Sequence, residues 1–321
     1  MFLSQLKDGT VICRVGDEAR MVNGVKSTYL LAMEAIEISV TISDLINQKG
    51  LSGSVNLESL LVEGLIDSPI RHPDYAHMTI TGTGLTHLGS ASARDAMHKV
   101  VEGESDSMKM FRMGLVGGKP ESGDVGVQPE WFYKGNGKSV VAPFDALESP
   151  SFALDGSEEP EIAGIYVNSP EGKPFRIGYA LANEFSDHIT ERINYLYLAH
   201  SKLRQTSFGP EIMVGDLPAD IRGTSRIKRN GSVLWEKPFL SGEDNMSHTI
   251  SNLEYHHFKY DIFREPGDLN VHMFGTATLS FADGVSVSNG DVMEVECPTF
   301  GLTLSNPVLT LLVPMPAIEA L

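Results

Sequence analysis

The chain has 321 residues, with 42 Asp plus Glu against 25 Lys plus Arg, a formal net charge of −17. That balance argues against a nucleic-acid partner, which needs a basic face, and against an anionic membrane surface. It leaves an anionic substrate open, because a bound metal ion inverts charge locally. Two cysteines, Cys13 and Cys297, are too few for a disulfide framework or a Cys-rich zinc site and read as buried thiols.

The start has no apolar run of signal-peptide length, and no window reaches ~18 consecutive apolar residues, so a cytoplasmic protein is expected. Thr10–Val15 reads as a strand, followed by a turn at Asn23-Gly24. Ser27–Ser39 carries helical periodicity through Leu30, Leu31, Ala35 and Ile36, and Ile42–Ile46 continues the apolar marks. Residues 1–75 are expected as a small N-terminal subdomain, linked through the proline-bearing Asp67–Asp74 stretch to a main domain over 76–321.

Thr79–Thr83 reads as a short strand, followed by glycines and a helix from Ser90 through Arg94 to His98. His87 lies in the glycine-rich loop, where a group titrating near neutral pH can serve as a general base or simply be a hydrogen-bonded structural residue; His98 carries the same choice. The Met108–Met113 patch reads as a packed helix, with a lid as the alternative. Gly82-Thr83-Gly84 lacks the last glycine of a dinucleotide fingerprint. From Pro129 onward β signals dominate, with a strand at Ile162–Val167, a turn at Ser169–Gly172 and an amphipathic helix over Phe185–His200 marked by Ile189, Ile193, Leu196 and Leu198. The pattern gives a β-rich α+β fold rather than regular βαβ alternation.

Three constellations could carry chemistry. In Glu158-Glu159-Pro160-Glu161, an extended backbone puts Glu159 and Glu161 on one face, and Glu184 ends the next apolar strand. Three such carboxylates suit a hard cation (Mg²⁺, with Mn²⁺ or Ca²⁺ also accommodated), or else form a solvated acidic turn. Glu254, His256 and His257 are spaced for one helix but lack the zinc-protease pattern. Lys134 and Lys202 could hold an anionic substrate or a developing enolate, or be ordinary surface lysines.

In this order the segments resemble the fumarylacetoacetate hydrolase superfamily over residues 76–310. The marks are Pro129–Lys134, Glu159-Pro160-Glu161, Gly178-Tyr179 to Asn183-Glu184, Pro266-Gly267-Asp268 with Gly275-Thr276, and Gly290-Asp291 to Leu304-Ser305-Asn306. Within it the chain is most similar to the sugar-acid branch, through Gly82–Arg94, His200–Arg204 and Gly242–His248. The resemblance implies a mixed β-sheet roll and a homodimer. It implies Glu159, Glu161 and Glu184 as ligands of Mg²⁺, His87 and Lys202 as catalytic groups, and Ser90, Arg94, Lys134, His188, Glu191, Gly275 and Thr276 as substrate-binding. The substrate implied is a small 2-keto acid. The chain departs from the family where Glu184 replaces an aspartate, His188 an arginine and Glu191 a glutamine. Those last two positions bind substrate in the carbon–carbon hydrolases. Their change tilts the expectation toward dehydration of a 2-keto-3-deoxy sugar acid through an enolate. Hydrolysis of a 2,4-diketo acid to release pyruvate, and non-catalytic sugar-acid binding, stand as alternatives.

Overall fold

The computed structural model describes residues 1–90, 105–121 and 123–321. Arg94 and His98 lie outside the described residues. The described residues form two β-sheets, of twelve and five strands, with short helices around them, and so realise the expected β-rich α+β class. Among them no helix is long and apolar enough to cross a membrane.

The large sheet is centred on the antiparallel pair Pro160–Asn168 and Pro174–Asn183, joined by the turn expected at Ser169–Gly172. Leu269–Met273 runs antiparallel to the first of these, Met78–Gly84 runs parallel to Leu269–Met273, and Glu130–Asn136 closes that side. On the other side Ile212–Met213 bridges to Phe2–Gln5, so the strands of the N-terminal portion extend the same sheet. The second sheet contains Ile221–Arg229, Ser232–Ser241, Val292–Glu296, Leu304–Leu311 and Leu147–Pro150.

Strand alternation explains why Pro160–Asn168 is buried along its whole length. Ile162 faces the second sheet and packs with Leu181, Phe239, Val295 and Leu304. Ala163, Ile165 and Val167 project to the opposite face, against Tyr29 and Ala32 of the helix Thr28–Glu37. A strand covered on both sides is a rigid place from which to project carboxylates, because each neighbouring side chain is fixed by packing.

The apolar marks over 27–46 resolve into two helices. Ser27 caps the first by accepting from the Leu30 N–H at 3.1 Å; Ser39, at φ +56°, breaks the run, and Thr41 caps Ile42–Lys49 by accepting from the Asp44 N–H at 3.0 Å. Cys13 and Cys297 are buried free thiols, as expected. The methionine patch is a helix, Asp106–Gly117, capped by Ser105, whose buried positions are Ser107 and Gly114 rather than the methionines.

The continuous amphipathic helix expected over Phe185–His200 is not found. His188–Ile193 and Leu198–Lys202 are separate helices, interrupted at Asn194, which is extended and caps a single turn, Tyr195–Tyr197. Two of the apolar marks face outward, with Ile193 62% and Leu196 82% exposed, and Ile189 and Leu198 are half-buried, while His188 and Glu191 are buried. The inner wall of this segment is a polar cavity, so the usual equation of apolar with inward reverses here.

Glu254, His256 and His257 share the helix Ile250–Phe258 but do not converge on one point. Glu254 accepts from Tyr166 and Arg176, a His256 ring nitrogen contacts the Gly126 carbonyl, and His257 contacts Asn270. His257 is fully buried, and burial lowers its pKa to about 4; burial likewise lowers that of His87 to about 3. Both stay neutral in the folded chain, whereas their unfolded counterparts titrate near the ordinary 6.5. The unfolded state therefore binds protons first as pH falls, and the stability these residues contribute above pH 6.5 is lost toward pH 4. Denaturant melts should show lower stability at pH 5.0 than at pH 7.5, and His257→Gln should narrow the gap. An unchanged gap in the variant would remove His257 as a source.

Candidate metal centre

The register of the central hairpin assembles the site. Ala182 pairs with Glu161 and Asn183 with Pro160, and just beyond the paired residues the Glu184 N–H donates to the Glu159 carbonyl at 2.9 Å. Glu159 and Glu161 thus share a face at the start of one strand, and Glu184 continues the other. One carboxylate oxygen from each lies within 4.8 Å of the others, and all three residues are buried. Among the described residues this is the one cluster of three or more acidic, His or Cys ligands.

Each carboxylate is held differently. The Gly275 N–H donates to Glu161 Oε2 at 2.6 Å, while Glu161 Oε1 is buried with no hydrogen-bond partner. Ser186 donates to Glu184 Oε1 at 3.1 Å. Lys202 Nζ donates to Glu159 Oε1 and, at 3.2 Å, to Glu184 Oε2. Lys134 Nζ lies beneath the cluster, donating to the Phe185 carbonyl at 2.6 Å and sitting 3.4 Å from Glu184 Oε1. His188 Nε2 is 3.0 Å from Glu159 Oε1.

The charges respond accordingly. Burial and the neighbouring Glu184 and Glu159 raise the Glu161 pKa well above the usual carboxylate value, and burial with Glu159 raises that of Glu184. Burial also resists ionisation of Glu159, but Lys202 and His188 outweigh it and hold its pKa below the ordinary value. Burial disfavours the Lys202 ammonium, yet Glu159 and Glu184 raise its pKa; Lys134 is brought down to about 8 by burial, against the pull of Glu184. For His188 burial is overcome by Asp155 and Glu159, and its pKa rises to about 10.

A hard divalent cation fits these residues. The donor set is all oxygen, the carboxylates repel one another, and the unpartnered Glu161 Oε1 is a buried acceptor whose cost a cation would relieve.

The cavity before the cluster brings together Ser90, His188, Glu191, Lys202, Gly275 and Thr276 from the expected set. Lys134 does not line it. Neither does His87, whose ring nitrogens contact Ser241 Oγ at 2.9 Å and Thr86 Oγ1 at 3.1 Å. Both ring nitrogens of His87 are thus engaged and the ring is buried, so the expected base is not among the residues lining this cavity. Leu85, Phe132 and Leu279 supply apolar walls, and the Lys202 ammonium lies 5.0 Å from the Phe132 ring centroid. Leu85 sits at φ +57°, and no residue-type signal marks that position.

Glu158, next to the first ligand, points the other way and clamps a loop. It accepts from the Ser280 N–H at 2.8 Å and from the Ser280 hydroxyl at 2.7 Å. The same loop carries Leu279 into the cavity wall and stacks Phe281 on His188, with ring centroids 5.2 Å apart.

Gly275 has φ +87°, and a Cβ there would lie 2.6 Å from both the Thr83 carbonyl and Thr86 Oγ1. Gly275→Ala should therefore displace the N–H that holds Glu161 and destabilise the fold by about 1–3 kcal/mol. Calorimetric Mg²⁺ titration should show weaker binding. Unchanged affinity would mean that this hydrogen bond does not set the position of Glu161.

No family model matches the chain, and no curated protein matches it. Solved structures do. A 2-keto-3-deoxy-D-arabinonate dehydratase complexed with magnesium and 2,5-dioxopentanoate superposes with a TM-score of 0.72 at 20% identity, covering 98% of this chain and 100% of that one. A 5-carboxymethyl-2-hydroxymuconate delta-isomerase from Mycobacterium smegmatis gives 0.56 at 16% identity, covering 97% and 99%. A maleylpyruvate hydrolase from Sphingobium sp. gives 0.56 at 14%, covering 97% and 100%. The chain has the fold of these proteins over nearly its full length.

Proposed function

We propose that this chain is a divalent-cation-dependent lyase of the fumarylacetoacetate hydrolase superfamily, dehydrating a 2-keto-3-deoxy sugar acid. The observation that carries the reading is the buried Glu159–Glu161–Glu184 cluster, with Lys202 on its edge, facing a small polar cavity. The dehydratase structure with magnesium and a dioxo acid on the same fold supports the substrate class.

Glu159, Glu161 and Glu184 would hold Mg²⁺, which would supply Lewis acidity toward a bound 2-keto acid. The protein groups then divide the remaining work. Lys202, held at Glu159 and Glu184, offsets negative charge as the enolate develops. Glu191 is the carboxylate lining the cavity outside the triad, and it takes the C3 proton. Loss of the C4 hydroxyl as water consumes that proton and leaves an unsaturated 2-keto acid. Hydrogen transfer from C5 to the C3–C4 unit then gives a 2,5-dioxo acid. Leu85, Phe132 and Leu279 limit water at the reacting carbons.

The test is a product assay on 2-keto-3-deoxy pentonates with Mg²⁺, in parallel with a chelator. The expected result is a dioxo acid retaining all the carbons of the substrate, abolished by chelation. Pyruvate plus a shorter acid from a 2,4-diketo acid would assign the hydrolase reaction instead. Ligand-dependent stabilisation without turnover would assign a binding protein.

A further inference from the structure

We propose that Asp155 and His188 are positioning residues that hold Glu159 so that only one of its oxygens faces the cation, an inference that rests on the cation-site reading above. Glu159 Oε1 carries both nitrogen contacts, from Lys202 Nζ and from His188 Nε2 at 3.0 Å, which leaves Oε2 as its ligand oxygen. The imidazole has little freedom to do anything else. It is 1% exposed, it opens the helix His188–Ile193 directly after the cap Asp187, and its ring is stacked on Phe281.

Its second nitrogen faces Asp155. Nδ1 lies 3.6 Å from Asp155 Oδ2, an ion-pair separation longer than a hydrogen bond, and the same oxygen accepts from Ser157 Oγ at 2.8 Å. Asp155 therefore reaches Glu159 only through the histidine, in the manner of an outer carboxylate that orients a ligand. A histidine placed for substrate would keep one ring nitrogen open to the cavity, whereas here both are directed at carboxylates. Asp155 is absent from the cavity wall, so an effect of its substitution on cation binding has no direct route through substrate.

The test is Mn²⁺ binding to the full chain without substrate, followed by calorimetry and by water-proton relaxation, for wild type, Asp155→Asn, His188→Ala and His188→Gln. Asp155→Asn and His188→Ala should weaken Mn²⁺ binding by about 10- to 100-fold. His188→Gln, which keeps a donor toward Glu159, should recover part of that loss. At saturating Mn²⁺ the KM for keto acid should stay within about twofold in Asp155→Asn, since Asp155 does not line the cavity. Mn²⁺ affinity within about twofold of wild type in Asp155→Asn and His188→Ala, with a raised KM in the latter, would overturn it and make His188 a substrate contact. If His188→Ala does not fold by circular dichroism, Asp155→Asn alone decides. Wild-type protein that binds no Mn²⁺ would instead overturn the cation site itself, and the relay with it.

Discussion

Glu161→Gln is expected to separate stability from activity, raising the melting temperature of the metal-free protein while removing Mg²⁺-dependent turnover. Glu161 has the same shape as Gln, and its Oε2, which accepts the Gly275 N–H, has a counterpart in the amide oxygen. What changes is charge. Burial and two neighbouring carboxylates raise the Glu161 pKa well above the ordinary 4.5. A carboxyl whose folded pKa is raised costs stability as pH climbs past its unfolded value, so at neutral pH the metal-free wild type bears a penalty that Gln does not. Thermal melts in chelator at pH 7.5 should rise by a few degrees in the variant, with the difference vanishing below about pH 4.5. Addition of Mg²⁺ should shift wild type upward and leave the variant in place, since a neutral amide replaces one of three anionic ligands. Turnover should fall by more than about 100-fold, beyond what loss of a ligand's outer partner produces. Retained turnover with an unchanged Mg²⁺ shift would remove Glu161 from the cation site.

Lys202→Met is the converse experiment. The side chain is 2% exposed, and its ammonium contacts two of the three carboxylates. Methionine preserves much of the volume and removes the charge. Breaking a buried ion pair from one side typically costs about 3–5 kcal/mol, because the partner is left charged without compensation. The metal-free variant should melt well below wild type, and Mg²⁺ should recover more stability in the variant than it adds to wild type. Catalysis should remain impaired at saturating Mg²⁺, because the cation replaces the lysine's charge within the cluster but not its support of the enolate. A variant as stable as wild type in chelator would show that Lys134 and His188 already suffice to neutralise the cluster.

The parts legible in the sequence were those with local rules. Period-two alternation placed Glu159 and Glu161 on one face, and a turn after Val167 brought Glu184 beside them in the hairpin. The apolar pattern marked the N-terminal helical stretch, although Ser39 at positive φ divided what that pattern joined. What was not legible depends on partners distant in the chain. His87 has the residue type and loop setting of a base, and its contact with Ser241, 154 residues away, follows only from the assembled fold. Asp155 carries no local signal at all, since its position toward His188 depends on the second strand of the hairpin. The 185–200 segment misled for another reason: Ile193 and Leu196 point outward, and the buried His188 and Glu191 line a cavity that only the assembled fold creates.

The clamp between Glu158 and Ser280 bears on how such a pocket can change over generations. Adjacent residues supply both Glu159, a proposed cation ligand, and the anchor, Glu158, for the loop that brings in Leu279 and Phe281. Mutational drift in that loop is therefore tied to the carboxylates of the floor, and insertions there would disturb the glutamates as well as the wall. Ser90, Phe132 and Glu191 approach from elements outside the clamp. Diversification toward new substrates has its freest path through Ser90 and Phe132, since Glu191 is the proposed base, while the loop wall is inherited with the cation site as a unit.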